Sequence, residues 1–288
     1  MTDIGAMLMR EIPPEDLVER ATSIAPHVDE LWIIEDLNWA GGISQLGTIL
    51  EATDNDSCGR PVLGHGIAPA PFRNPAALAM EWATLARMYP GRLHCGIGHG
   101  LPHWMEWIGE KVESPLTLLR ETIECTQQIL RGEAVEYTGR YITIRGVELE
   151  FPPSVVPPIL AGVTGPRSLE LSGMVADGTL LPEGFDGARI EWAQDQISTG
   201  RRSSNARHPH RLAVFVGYYL GDLDRLPPPA EDGDQPWVAV TDNIDEMVAA
   251  LRPVMRTGLD SLVLIPFGPD PAGQVERFQA DVRPHLSA

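Results

Sequence analysis

The sequence predicts an α/β fold, a (β/α)8 barrel, on three observations. Strand-like runs alternate with helical segments nearly throughout, and such alternation implies a parallel sheet. The runs number about eight, the count that closes a barrel. A chain of 288 residues is also an ordinary length for one barrel domain, so residues 1–288 are read as a single unit.

The strand runs are residues 4–9, 30–34, 61–67, 92–97, 158–163, 178–181, 212–220 and 261–266. Between the first two, residues 15–25 place Leu17, Val18, Ala21 and Ile24 on one helical face. Ser114-Pro115 opens a further helix with a capping hydroxyl and a first-turn proline, followed by Leu116, Leu119, Ile123 and Ile129. Asn243 caps another, which runs through Met247, Val248, Leu251 and Met255 to Gly258. Two segments break the rhythm. Residues 135–151 hold Tyr137 to Ile144, a small hairpin inserted before the fifth strand. Residues 221–236, with three consecutive prolines and several acids, form a long polar loop after the seventh.

Composition excludes several function classes. A net charge of −18 argues against nucleic acid, whose binding needs phosphate neutralisation by Lys and Arg. No apolar run is long enough to cross a membrane, and the start Met1-Thr2-Asp3-Ile4-Gly5 lacks the pattern of a signal peptide. Cys58, Cys95 and Cys125 are scattered without disulfide or metal spacing, which suits a cytoplasmic protein. With no His-x-His pair on the first strand and no ligand cluster at strand ends, no metal site is expected.

Chemistry in a barrel sits at the carboxyl ends of its strands. Here those ends read Glu35-Asp36-Leu37-Asn38-Trp39, Gly64-His65-Gly66-Ile67, Gly98-His99-Gly100, Gly162 to Arg167, and Pro182-Glu183. Glycine at three of the five permits close approach to a flat ligand. In the fourth, Gly162 to Pro166 make a turn and Ser168 opens a helix. The free N–H groups of its first turn, with Arg167 among them, form a site for an anion such as a phosphate. The plain alternative is an ordinary strand-to-helix turn.

Several of these stretches resemble the bacterial luciferase-like family, and within it the branch that uses the deazaflavin coenzyme F420. Arg92 to Gly100 resembles the fourth-strand motif, Gly162 to Arg167 the fifth-strand phosphate turn, and Ala176-Asp177-Gly178 the start of the sixth strand. Leu63 to Ile67, Arg73-Asn74-Pro75-Ala76 and the stretch from Ser114 to Glu133 support the likeness, which covers about residues 1–200 well. The resemblance implies a TIM barrel with an insertion before the fifth strand, coenzyme F420 as cofactor, a small-molecule substrate and a homodimer. It places a non-proline cis peptide at Gly66–Ile67. The residues it matches to cofactor contacts are Gly66, Ile67, His99, Gly100, Val163, Gly165, Pro166 and Arg167.

Departures from the branch narrow the chemistry. Its sugar-phosphate dehydrogenases end the second strand in Asp-His and follow the fourth-strand motif with Glu. This chain has Glu35-Asp36 and Leu101 instead, which argues against sugar-phosphate oxidation. The expected activity is hydride transfer between the deazaflavin and an unidentified small organic substrate, with Glu35 or Asp36 exchanging a proton. Glu35, if partly buried beside a neutral ring, gains proton affinity and serves as a general acid; the alternative is a salt-bridged barrel rim. Trp39 and Trp104 are read as walls of a substrate pocket or as loop packing, His99 as a cofactor contact or a rim histidine, and His65 as structural. Arg73 fixes the start of the third helix. Two other readings stay open: an FMN-dependent monooxygenase, against which the Gly-Pro-Arg turn weighs, and a flavin- or deazaflavin-binding protein without turnover.

Overall fold

The computed structural model describes residues 2–226 and 239–286. In chain order its elements are β1 (Asp3–Leu8), α1 (Leu17–Ile24), β2 (Glu30–Ile33), α2 (Gly42–Ala52), β3 (Val62–Pro69), α3 (Pro75–Met88), β4 (Leu93–Gly98), α4 (Pro102–Ile108) and α5 (Pro115–Leu130). Then come β5 (Val135–Thr138), β6 (Thr143–Val147), β7 (Ile159–Gly162), α6 (Pro166–Val175), β8 (Gly178–Leu181), α7 (Gly187–Ser204), β9 (Arg211–Leu220), β10 (Ala239–Thr241), α8 (Ile244–Arg256) and β11 (Ser261–Pro266). Helices α9 (Pro271–Arg277) and α10 (Arg283–Leu286) finish the chain, joined by a π-helical turn.

Eight parallel strands close on themselves in the order β1-β2-β3-β4-β7-β8-β9-β11 and back to β1. The anticipated (β/α)8 barrel is therefore present. The hairpin of residues 135–151 is also present, as antiparallel β5 and β6 ahead of β7, the fifth barrel strand. Strand β10 was not foreseen. It pairs only with the outer end of β9, Ala239 opposite Tyr218, where the ten-residue β9 outruns its barrel neighbours. Of the long polar loop, residues 227–236 lie outside the described residues.

Helix starts follow the capping chemistry of the sequence. The side chains of Asn74, Ser114 and Asn243 accept from first-turn amides of α3, α5 and α8, each satisfying a donor that the helix cannot. The strands alternate outward and inward, giving two apolar cores. One lies between strands and helices. The other fills the barrel with Met7, Trp32, Leu160, Leu180, Ala213, Phe215, Val263 and Ile265.

That inner core is lopsided, and glycine makes it so. The Trp32 ring lies over Gly64 of β3, where an added Cβ would come within 2.1 Å of it. The indole N–H donates to Glu30 at 2.8 Å, which holds the ring in place. Glu30 is itself buried; it accepts from Ser261 Oγ at 3.0 Å and from Arg211 at 2.5 Å, closing the lower end of the barrel. The side chain of Ile67 occupies the other vacancy. A Cβ at Gly98 or Gly162 would sit 2.6 or 2.5 Å from it, and one at Gly96 would sit 2.3 Å from the His65 carbonyl. Gly98 and Gly162, among the strand-end glycines expected to admit a flat ligand, thus admit the protein's own isoleucine. The Gly66–Ile67 peptide is cis, as the resemblance implied, and β3 breaks register between His65 and Ala68.

Interiors at crystal-like density leave no room for an extra methyl group. Gly64→Ala is therefore expected to lower stability by about 1–3 kcal/mol through overpacking against a pinned ring. Gly47→Ala, mid-helix in α2 with its nearest neighbour 3.6 Å away, should raise it by up to about 1 kcal/mol. Urea midpoints of the two variants should move in opposite directions.

Candidate active site

A cavity of about 900 Å³ opens at the carboxyl ends of the strands. Its floor is the top of the inner core: Met7, Ile34, Leu180, Phe215 and Ile265, with Phe267 beside them. One wall is the bulge at Gly66 and Ile67. Next to it stand His99 and Gly100 after β4, then Gly162, Val163, Thr164, Gly165 and Ser168 where β7 turns into α6. The remaining rim carries Met9, Arg10, Glu11, Glu35, Asp36, Trp104 and Glu183.

The first turn of α6 is an anion cradle in form. Gly165 is the N-cap, Pro166 follows, and no side chain caps the exposed amides. Unpaired N–H groups at a helix start favour negative charge. Ser168 Oγ lies 3.2 Å from His99 Nε2, tying this turn to the end of β4. Burial lowers the His99 pKa below its ordinary value, so the imidazole is neutral near pH 7 and brings one donor and one acceptor.

Glu35 does not behave as a general acid. Its carboxylate is buried and accepts two hydrogen bonds from Arg73, both at 2.6 Å, and a third from the Gly42 amide at 2.8 Å. His65 Nε2 is 3.4 Å away. Burial pushes the pKa of this carboxyl up, but the His65 and Arg73 contacts together with the Gly42 amide outweigh it and hold it at about 2. The sequence reading had weighed burial without these partners. The salt-bridged alternative is the one the geometry takes, and Glu35 stays ionised.

His65, fully buried and edge-on to Trp82 at 5.8 Å, is structural as anticipated. It also explains Gly42: a Cβ there would lie 2.2 Å from His65 Nε2. Arg73 precedes the Asn74 cap of α3, and its Nε also reaches Glu81 at 3.3 Å, so it does more than mark the start of a helix.

Asp36 lies one residue on, facing the cavity, where its carboxylate meets the Arg10 guanidinium. Arg10 in turn stacks 5.3 Å over the Trp39 ring. Trp39 therefore stands behind Arg10, nearly half exposed, and does not line the cavity. Gln45 closes the loop that carries these residues, its amide donating to the carbonyls of Ile34 and Ala40 at 3.2 and 2.9 Å. Trp104 of α4 is buried and does line the cavity, whereas Trp107 faces out. Pro166 and Arg167 sit at the surface just beyond the wall.

Sequence reasoning missed most of the floor and the rim carboxylate Glu11, and it gave Glu183, named at a strand end, no role. A signal was available: Met7 and Met9, Ile265 and Phe267, Leu180 and Pro182 alternate along their strands, and alternate residues share a face.

Residues 1–224 match the family model of the luciferase-like monooxygenases, and the chain belongs to that family. A 5,10-methylenetetrahydromethanopterin reductase from Methanolobus tindarius is 31% identical over 201 residues, 68% of this chain and 58% of that protein. Matches to such reductases span 39–58% of the relatives' own length. An F420-dependent glucose-6-phosphate dehydrogenase from Mycobacterium avium is 24% identical and aligns over 96% of this chain and 95% of its own. Among solved structures, the F420-dependent tetrahydromethanopterin reductase of Methanopyrus kandleri superposes with a TM-score of 0.83, at 20% identity and 99% coverage of both chains. That likeness establishes the shared fold.

A depressed carboxyl pKa stabilises the folded state above its ordinary value near 4.5, and the contribution is lost as pH falls toward about 2. The stability difference between the native protein and Glu35→Gln is thus expected to shrink across that window. Arg73→Ala, which strips a buried carboxylate of its main partner, should cost about 3 kcal/mol at pH 7. Urea unfolding at pH 7, 4.5 and 3 checks both, and a pH-independent Glu35→Gln difference contradicts the first.

Proposed function

We propose that this protein is an F420-dependent oxidoreductase acting on a small organic molecule. The observation that carries the reading is one cavity bounded on one side by the Gly66–Ile67 bulge and on another by the uncapped first turn of α6. The relatives named above that use F420 support it. The residues fit such a group: a broad wall at Gly66, Ile67, His99, Gly100 and Val163, and beyond it amides, the Ser168 hydroxyl and the nearby Arg167 for a phosphate. Bound there, the deazaflavin supplies hydride chemistry, taking or giving two electrons and one proton at carbon.

The chain's own residues do the rest. Gly165 and the first-turn amides after Pro166 orient an anionic tail. Ile67, wedged against the glycines beneath it, keeps the bulge in place. Asp36 exchanges the proton that accompanies hydride transfer at a substrate oxygen or carbon, and Arg10 holds the Asp36 carboxylate toward the cavity. Trp104 and the apolar floor exclude water. Glu35 and Arg73 position the loop between β2 and α2 and take no part in proton transfer. We place the enzyme in the cytoplasm, in keeping with three buried free cysteines, and infer a homodimer.

Equilibrium titration of the purified protein with F420 and, separately, with FMN tests the reading. F420 should bind at micromolar concentration or tighter and FMN at least tenfold more weakly, and Arg167→Ala should weaken F420 about tenfold, the size of one charge-assisted hydrogen bond. Preference for FMN would turn the assignment to an oxygen-using monooxygenase. Binding of neither would remove the cofactor assignment.

A further inference from the structure

The two ends of the cavity differ in charge. The α6 end offers unpaired amides to an anion. The other end offers none, because each cation within reach is already engaged. Arg10 is the one lysine or arginine among the described lining residues. Its Nη1 donates to Asp36, its Nε lies 3.1 Å from Glu11, and its face covers Trp39. Arg73, behind the wall, is fully turned to Glu35 and Glu81. His99 is held neutral by burial.

Against these stand three lining carboxylates that follow β1 and β2: Glu11, Glu35 and Asp36. Between rim and core the surface is Met7, Met9, Ile34, Phe215, Ile265 and Phe267. An anionic group placed there would face Asp36 in a medium of reduced dielectric, or would have to take Arg10 from two carboxylates. A cationic group would give up its hydration to a mostly apolar wall whose acids are already paired.

We propose that the substrate end of this cavity selects uncharged, largely apolar molecules bearing a carbonyl, hydroxyl or activated double bond, and rejects phosphorylated and carboxylated ones. The identity of the reacting group rests on the oxidoreductase reading. The charge selection rests on Arg10, Asp36, Glu11 and the Met/Phe/Ile floor.

Three eight-carbon methyl ketones of matched length, ending in methyl, carboxylate and ammonium, test it. Their dissociation constants would be measured by ligand-observed NMR on the F420-saturated protein and on the protein alone, at low and high salt. The neutral ketone should bind at least tenfold tighter than either charged partner and be indifferent to salt. The carboxylate should gain affinity as salt screens the rim. Met9→Lys, which sets an ammonium into the wall, should improve the carboxylate at least tenfold relative to the neutral ketone. Equal or tighter binding of the carboxylate or the ammonium compound, or no binding of the neutral ketone to protein that binds F420, overturns the proposal. Neutral selection in a protein that fails to bind F420 would instead sink the cofactor reading and leave the charge selection standing.

Discussion

Ile67 seated against Gly96, Gly98 and Gly162 is the contact on which the upper half of this barrel depends. A barrel interior is normally filled by inward side chains from alternate strands. Here β3, β4 and β7 contribute glycines at those inward positions, and the volume is filled from elsewhere: by Trp32, crossing from β2, and by Ile67, turned inward where β3 breaks register. The glycines lose chain entropy on folding, so the arrangement holds only if something large occupies the space they leave. Two side chains do, and Glu30 fixes one of them by a hydrogen bond to its ring nitrogen. The consequence for the site is direct. The wall facing the cavity at the third strand is a rigid backbone bulge with packed apolar volume directly beneath it.

A second constraint ties that wall to the loop beside it. Glu35 at the end of β2 holds Arg73 from the segment before α3 and the amide of Gly42 at the start of α2, with His65 against its other oxygen. His65 is the residue immediately before the bulge. The loop carrying Asp36 and the bulge are therefore anchored through one carboxylate. Because breaking such a buried pair leaves an uncompensated charge, the two walls of the cavity are held in fixed relation. Glu35 thus bears on the site as a fixed, ionised anchor between the two.

Much of the fold was readable from the chain because its signals are local. Alternation of strand and helix, the Ser114-Pro115 and Asn243 caps, and the Tyr137–Ile144 hairpin each follow from residues close in sequence, and the barrel follows from their number. Strand β10 was not readable: its three residues pair with an overhang of β9 that no periodicity marks. The site was half readable. His99, Gly100, Val163 and Gly165 sit at strand ends, where motif and position coincide, and they line the cavity. Glu35 misled because its pKa depends on Arg73 and His65, which are 38 and 30 positions away along the chain and reach it only through the fold. Trp39 misled for a similar reason, since the cation that covers it comes from the end of β1.

The distribution of charge separates what the site can hold from what the whole protein repels. An acidic protein of net charge −18 places an unfavourable field around any anionic ligand, and local donors must overcome it. The amides at the start of α6 are such donors, fixed by backbone and independent of pH, and they serve one corner of the cavity only. Elsewhere the cations are already committed: Arg73 to Glu35, Arg10 to Asp36. Committed guanidinium groups shape loops but attract little, because their charge is met within the protein. One space thus presents two different surfaces: uncapped backbone donors where β7 turns into α6, and apolar contact beside Arg10 and Asp36, whose charges meet each other.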